Sequence, residues 1–219
     1  MRIEHDVRTR FPGTNVLVRR VNDITVEKVN TELEALKEKL IEETKNKFNA
    51  ESLKDVPVFR LYRDFFWRLG IDPTKNRPAA EALVRRILVG KPIPSVNSVV
   101  EAYNLASVKT LVALAVFDAD KLSGELTLRF AKVGEEFMGI GMDKPLHLSG
   151  DEVVVSDAEK LVAVYPYRDA EASKVTRETK NVVILVCGVP GISEETLLKA
   201  SHTATKYITE FCGGEEMLE

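Results

Sequence analysis

From Asp23 to Lys47 the apolar residues Val26, Val29, Leu33, Leu36 and Leu40 recur at alternating spacings of three and four, the period of one helix face. Asn22 or Asp23 stands where a cap belongs, and Glu and Lys at the intervening positions keep the other faces in water. The stripe covers only about two heptads, so it predicts a helix packed on its own domain. A coiled-coil partner, giving a homo-oligomer through this N-terminal helix, is the alternative. Pro57 marks a linker. Residues 1–56 therefore read as an N-terminal extension and residues 57–219 as the main domain.

VFRLYRDFFWRLGIDPTKNRPAAEALVRRILVG reads as helix, break and helix, with Gly70 closing the first and Asp72-Pro73 turning the chain. Pro78 opens the second helix, which carries Leu83, Val84, Ile87 and Leu88 inward and ends at Gly90. A third helix follows Pro92 and Pro94, with Ser95 as its expected cap and Val96, Val99, Val100 and Tyr103 on one side. From Leu111 the period changes to that of strands: LVALAVF, ELTLRFA, EVVVS, KLVAVYPY and NVVILVCG, separated by glycine-marked turns. SEETLLKASHTATKYITEF is again a helix, capped by Ser193, stapled by Ile192 and Leu197 and closed by Gly213-Gly214. The acidic tail after it is expected to fray. Strands that follow helices without regular alternation predict an α+β layered sheet-and-helix domain and argue against a doubly wound nucleotide fold.

A length of 219 residues, 44% of them apolar, is enough to bury a core without covalent staples. Two cysteines, Cys187 in an apolar run and Cys212, supply neither a disulfide framework nor a CxxC site. No apolar run reaches the ~20 residues of a membrane span, and MRIEHDVRTR has no signal-type segment, so a cytoplasmic protein without a membrane partner is expected. The net charge of -3 argues against nonspecific nucleic-acid binding over the whole surface. Between Arg60 and Lys91, however, eight basic residues face three acidic ones, a local +5. That segment is either a solvated surface or an RNA track.

The chain has no GxxxxGK[ST], no GxGxxG after a strand, no HExxH and no GxSxG. GIGMDK reads as a turn. His5, His147 and His202 lack second ligands at metal spacing, so neither metal nor cofactor is expected. What remains is a polar group: Tyr103, Asn104, Ser107, Asp118, Arg129 and the run Tyr165-Pro166-Tyr167-Arg168-Asp169 that ends a hydrophobic strand. There Arg168 is suited to a phosphate or carboxylate, and Tyr165 or Tyr167 to stacking. The plainer alternative is a sheet cap, with Asp169 bridging Arg168 or Arg129.

The order of these blocks resembles the tRNA-editing domain of the phenylalanyl-tRNA synthetase beta subunit, the B-three/B-four module, from about Arg60 to Gly188. SVVEAYN is similar to that family's Val-Asp-Val-Thr-Asn helix, with Asn104 on its asparagine. FDADKLSGELTLRFAKVGEEF matches a segment covering Asp118, Asp120, Gly124, Arg129 and Glu135, and VTRETKN its Val-Thr-x-x-Thr-x-Asn, here Val175, Thr176, Thr179 and Asn181. Departures are specific. The family's pocket histidine falls on Ala115, its recognition glutamate near Leu185, and its glycine-rich loop is replaced by YPYRD. The chain is closer to free-standing relatives with Trp67, Arg68, Gly70, Asp72 and Pro73.

The resemblance implies a tRNA-binding, editing-like protein that hydrolyses mischarged aminoacyl-tRNA in trans. In that role Asn104, Arg168 and Asp169 act catalytically, and Tyr103, Ser107, Arg129, Tyr165, Tyr167 and Thr176 bind substrate. The alternative is a noncatalytic module that holds RNA or an amino acid through the same residues.

Overall fold

Two buried, mostly apolar runs set up the frame of the computed structural model, which describes residues Met1 to Met217. VVILVC forms β10 (Val182–Cys187), every residue of it buried, and ALAVFD forms β3 (Ala113–Asp118), likewise buried throughout. They pair antiparallel from Val182↔Asp118 to Cys187↔Ala113. On its other edge β10 takes β2 (Val16–Asn22), and β2 takes β11 (Glu215–Met217), giving a four-stranded sheet in the order β11-β2-β10-β3. A five-stranded sheet runs β1 (Arg2–Ile3), β4 (Thr127–Phe130), β7 (Val153–Ser156), β8 (Leu161–Val164) and β9 (Arg168–Asp169). A short ribbon of β5 (Glu136–Phe137) and β6 (Leu146–His147) completes the strands described.

Helices cover this frame: α1 (His5–Arg10), α2 (Thr31–Lys47), α3 (Pro57–Arg68), α4 (Ala79–Leu88), α5 (Ser98–Thr110) and α6 (Glu194–Cys212). α5 and α6 pack on each other and on the four-stranded sheet. The main core joins both sheets and these helices, and a smaller one lies around Phe137, Leu148, Val154 and Leu161. The layered α+β architecture matches the reading from periodicity. Among the described residues no helix is long and apolar enough to cross a membrane.

Several boundaries differ from expectation for identifiable reasons. α2 begins at Thr31, capped by the Asn30 side chain on the Leu33 N–H at 3.0 Å. Residues 23–26 are instead tied into the sheet end: Asp23 takes a left-handed φ of 59°, and Ile24 and Thr25 donate to the Lys180 and Cys212 carbonyls. α5 is capped by Asn97, two residues later than the expected Ser95, leaving Val96 exposed. The acidic tail does not fray up to Met217, since Glu215–Met217 pairs with β2; Leu218 and Glu219 lie outside the described residues.

Leu33 and Leu40 of α2 are buried against the chain's own α4 and α5. Val26, Leu33 and Leu40 of the stripe are thus packed within the chain, as the reading of a helix laid on its own domain expects, while Val29 stays exposed. The segment before α2 is woven into both sheets through β1 and β2.

Two tyrosine hydroxyls finish the end of β10. Tyr62 of α3 donates to the Cys187 carbonyl and accepts the Ala113 N–H at 3.0 Å, so a side chain bridges the last β3–β10 rung. Tyr165, just past β8, donates to the Gly188 carbonyl at 2.7 Å and ties the second sheet to the first. Gly188 fits only as glycine, because a Cβ would collide with the Asn15 carbonyl and Leu197. Replacing Tyr62 with Phe strands two buried backbone groups, and is expected to cost about 1–3 kcal/mol in denaturant unfolding. An unchanged midpoint would show that the bridge contributes nothing.

Candidate functional site

Beside that tyrosine pair, a cavity of about 120 Å³ opens between α5, the first residue of α4, the ends of β3 and β10, and the β8–β9 turn. Its buried lining is apolar and small, made by Ala113, Ala115, Ala163, Leu185 and Cys187, with the exposed Ala79 at its edge. Ala115 and Leu185 are direct cross-strand partners in the β3–β10 ladder. For scale, a cavity of ~150 Å³ lined by apolar side chains holds a benzene molecule. The space therefore accepts a single side chain, not a nucleobase with its sugar.

Its rim is polar. Helix α5 presents Tyr103 and Asn104, and the strand end presents Tyr165, Tyr167, Arg168 and Asp169, all lining the same space. The Tyr165-Pro166 peptide is cis. Tyr167 is held from outside by an edge-on contact with Phe66 at 6.4 Å and by donation to Asn76 Oδ1 at 3.2 Å. The Arg168 guanidinium lies 5.5 Å from the centre of the Tyr167 ring. Among the described residues neither Arg168 nor Asp169 enters an ion pair, so the sheet-cap alternative, with Asp169 bridging Arg168 or Arg129, does not hold.

Burial alone pushes the Asp169 carboxyl up from 3.8 to about 7. The residue keeps a partly exposed face where it lines the cavity, but no cation compensates it. Burial, and then the neighbouring Asp169 charge, raises both the Tyr103 phenol and the Cys187 thiol. At neutral pH both are uncharged, so Cys187 is no thiolate nucleophile. Asp169 is the one carboxyl on this rim that changes charge near neutrality.

Three of the expected binding residues lie elsewhere. Ser107 is buried and donates to the Val112 carbonyl at 2.6 Å, closing the end of α5 where Leu111 turns left-handed. Arg129 is committed to Glu135 through two bonds of 3.0 and 2.6 Å and to Ser156 at 3.0 Å, which holds the Glu135 carboxyl below its usual range. Thr176 gives its N–H to Thr179 Oγ1, and Thr179 in turn donates to Asp118 Oδ2 at 2.7 Å. Asn181 clamps Asp120 at 3.0 Å. The aspartates of FDAD and the Thr-x-x-Thr-x-Asn block thus bind each other as a structural clamp away from the cavity.

Of the alanine lining the sequence reading reached Ala115 only through the resemblance; Ala113 and Ala163 escaped it, because alanines in a buried strand carry no chemical signal of their own. Gly139 escaped it too, read only as part of a turn. It bridges Ala170, and Ile140 donates to the Asp169 carbonyl at 2.9 Å, so the turn braces β9. A Cβ at Gly139 would overlap Cδ and Cγ of Arg168. Glycine is what lets the arginine stem lie across that backbone.

Comparison with known proteins agrees with the fold. The B3/4 domain family model matches residues 61–213. The chain is 32% identical over 92 residues to the phenylalanine–tRNA ligase beta subunit of Fusobacterium nucleatum, covering 42% of this chain and 11% of that protein. It is 27% identical over 152 residues to the same subunit from Neisseria meningitidis serogroup B, covering 58% of this chain and 19% of that one. It thus spans less than a fifth of the length of these relatives. In structure it is similar to an N-terminal fragment of the phenylalanyl-tRNA synthetase beta subunit from Pyrococcus horikoshii. The TM-score is 0.52 at 14% identity, over 98% of this chain and 49% of that one, a likeness of fold. With a family model matching from α3 to the end of α6, the chain belongs to the B3/4 domain family.

Proposed function

We propose that the protein hydrolyses, in trans, the ester joining an apolar amino acid to the terminal ribose of a tRNA. The observation that supports this reading most is the convergence of Asn104, Arg168 and Asp169, none of them spent on an ion pair, at the mouth of a side-chain-sized apolar cavity. Similarity to phenylalanine–tRNA ligase beta subunits over the B3/4 region supports tRNA as the carrier.

An aminoacyl ester is already activated, so the enzyme needs to hold it, place one water and stabilise the charge that develops. The amino-acid side chain enters the alanine-lined floor. Asp169, titrating near neutrality, takes a proton from the attacking water. The new C–O bond forms at the ester carbonyl, whose oxygen becomes an oxyanion facing the Arg168 guanidinium and the Asn104 amide. As the intermediate collapses, the ester C–O bond breaks and the ribose oxygen receives the proton from Asp169. Amino acid and free ribose hydroxyl leave, and the enzyme is restored. Ala115 and Leu185, where the resemblance places a histidine and a glutamate, give the floor no partner for a phenolic hydroxyl. Tyrosine would bury an unpaired O–H there, whereas an apolar side chain loses nothing.

A second reading, a noncatalytic binder, draws on the same cavity, because only one group on its rim is tuned to move a proton near neutrality. Arg168→Ala separates the two: a binder loses affinity alone, while the hydrolase loses turnover.

The purified protein is expected to release amino acid from at least one apolar mischarged tRNA above the uncatalysed rate. Failure across a full panel would remove the proposal. Asn104→Ala and Arg168→Ala are expected to lower turnover by about 10²–10³, the usual loss for one oxyanion donor. Gly139→Ala, which displaces Arg168, should lower it in the same direction.

Two pH signatures follow from Asp169. As a base it works ionised, so the rate should fall as pH drops through about 7, and Asp169→Asn should remove that limb. In stability the sign is opposite. The folded state holds this proton more tightly than the unfolded one, so its contribution is full below 3.8 and is lost as pH rises through about 7. Asp169→Asn should therefore melt higher than wild type above neutrality; a lower melting temperature there would contradict the burial argument.

A further inference from the structure

A second cluster lies on the far side of α4 from the cavity and has no part in the chemistry above. Lys54, Arg63, Thr74, Arg77, Glu81 and Arg85 line a cleft of about 270 Å³ between α3, the 72–78 turn and α4. Glu81 is only 2% exposed. Its Oε1 accepts from Arg63 Nη1 at 2.8 Å and lies 4.0 Å from Arg77 Nε. Its Oε2 is buried and has no hydrogen-bond partner. Arg85 reaches the Ala50 carbonyl at 3.3 Å with one nitrogen. Counting Glu51 at the edge, four cations face two carboxylates, an uncompensated positive charge on a chain whose total is -3. The remaining basic residues of the 60–91 segment do not join it. Arg68 lies over the Phe11 ring and Arg86 donates to the Pro92 carbonyl.

Guanidinium donors not used up by Glu81, beside the exposed Lys54, call for an anionic ligand. A ribonucleotide backbone is one: its phosphodiesters suit Arg77, Arg85 and Lys54. The placement fits an RNA end. The first residue of α4, Ala79, lines the cavity, while Glu81 and Arg85 line the cleft, so the two are separated by about one helix diameter of ~10 Å. Asn76 holds Tyr167 at the cavity rim, and the next residue, Arg77, faces the cleft.

We propose that this cleft binds the backbone of the RNA end whose terminal group occupies the cavity. The inference rests on the RNA-ester reading above. Its test uses uncharged tRNA, so turnover does not enter. Wild type, Arg77→Ala/Arg85→Ala and Lys54→Glu are titrated with labelled uncharged tRNA at several salt concentrations, with melting curves as a fold control. Arg63 is left intact, since its loss would leave Glu81 buried without its partner.

The wild type is expected to bind with a steep salt dependence. The double variant should bind about tenfold or more weakly, with a log–log salt slope shallower by about 1–2, as expected for two lost phosphate contacts. Lys54→Glu changes an exposed side chain and should weaken binding in the same direction even if the double variant fails to fold. Absence of wild-type binding, or unchanged affinity and slope in the folded variants, overturns the proposal. If tRNA binding depends on these residues while no mischarged tRNA is hydrolysed, the ester reading fails and the cleft stands; turnover with binding indifferent to them sinks the cleft alone.

Discussion

The end of β10 is where this molecule solves its hardest problem, that of finishing a fully buried strand without stranding its last carbonyls. Cys187 and Gly188 hand their carbonyl oxygens to the hydroxyls of Tyr62 and Tyr165, one from a helix and one from the neighbouring sheet. Unpaired, each would carry the desolvation penalty of a buried polar group. Because the two tyrosines come from different layers, satisfying the backbone also fixes how the layers meet. The cavity is the space left beside that junction, bounded by Ala113, Cys187 and Tyr165. Its position is a by-product of strand termination, and its rigidity comes from the same bonds.

Around this junction the fold separates two kinds of polar residue. Arg129, Glu135, Ser107, Thr179 and Asp118 pair with one another or with backbone, and they are structural. Asn104, Arg168 and Asp169 are held in place by packing while their polar ends remain uncommitted. Sequence composition treats both sets alike. Only the partners distinguish an uncommitted residue from a strut, and partners are found in space rather than along the chain.

This explains what was legible beforehand. Strands with unbroken apolar or alternating patterns, such as β10 and β4, and a helix with its own cap and staple, such as α6, carry their conformation in local residues, and they appear where the periodicity put them. So did the grouping of Tyr103 and Asn104 with the YPYRD run, because two polar patches at the ends of apolar elements have few places to go. The start of α2 was not legible, since residues 23–26 are held by the distant carbonyls of Lys180 and Cys212, which override a local helical pattern. The strand β2 was equally hidden: its residues are mostly half-buried, and they become a strand only because β10 and β11 lie on either side. The alanine floor and Gly139 matter for what they leave empty, and sequence patterns register side chains rather than vacancies.

The location of β2 also bears on how the protein comes into being. Its partners on both sides, residues 182–187 and 215–217, lie far downstream of it in the chain. An emerging chain therefore carries an unpaired, apolar-rich strand until those segments are made, and the central sheet cannot close before then. Such long-range pairing places the molecule among slow, high-contact-order folders. During that interval its open strand edge is a natural client for a holding chaperone.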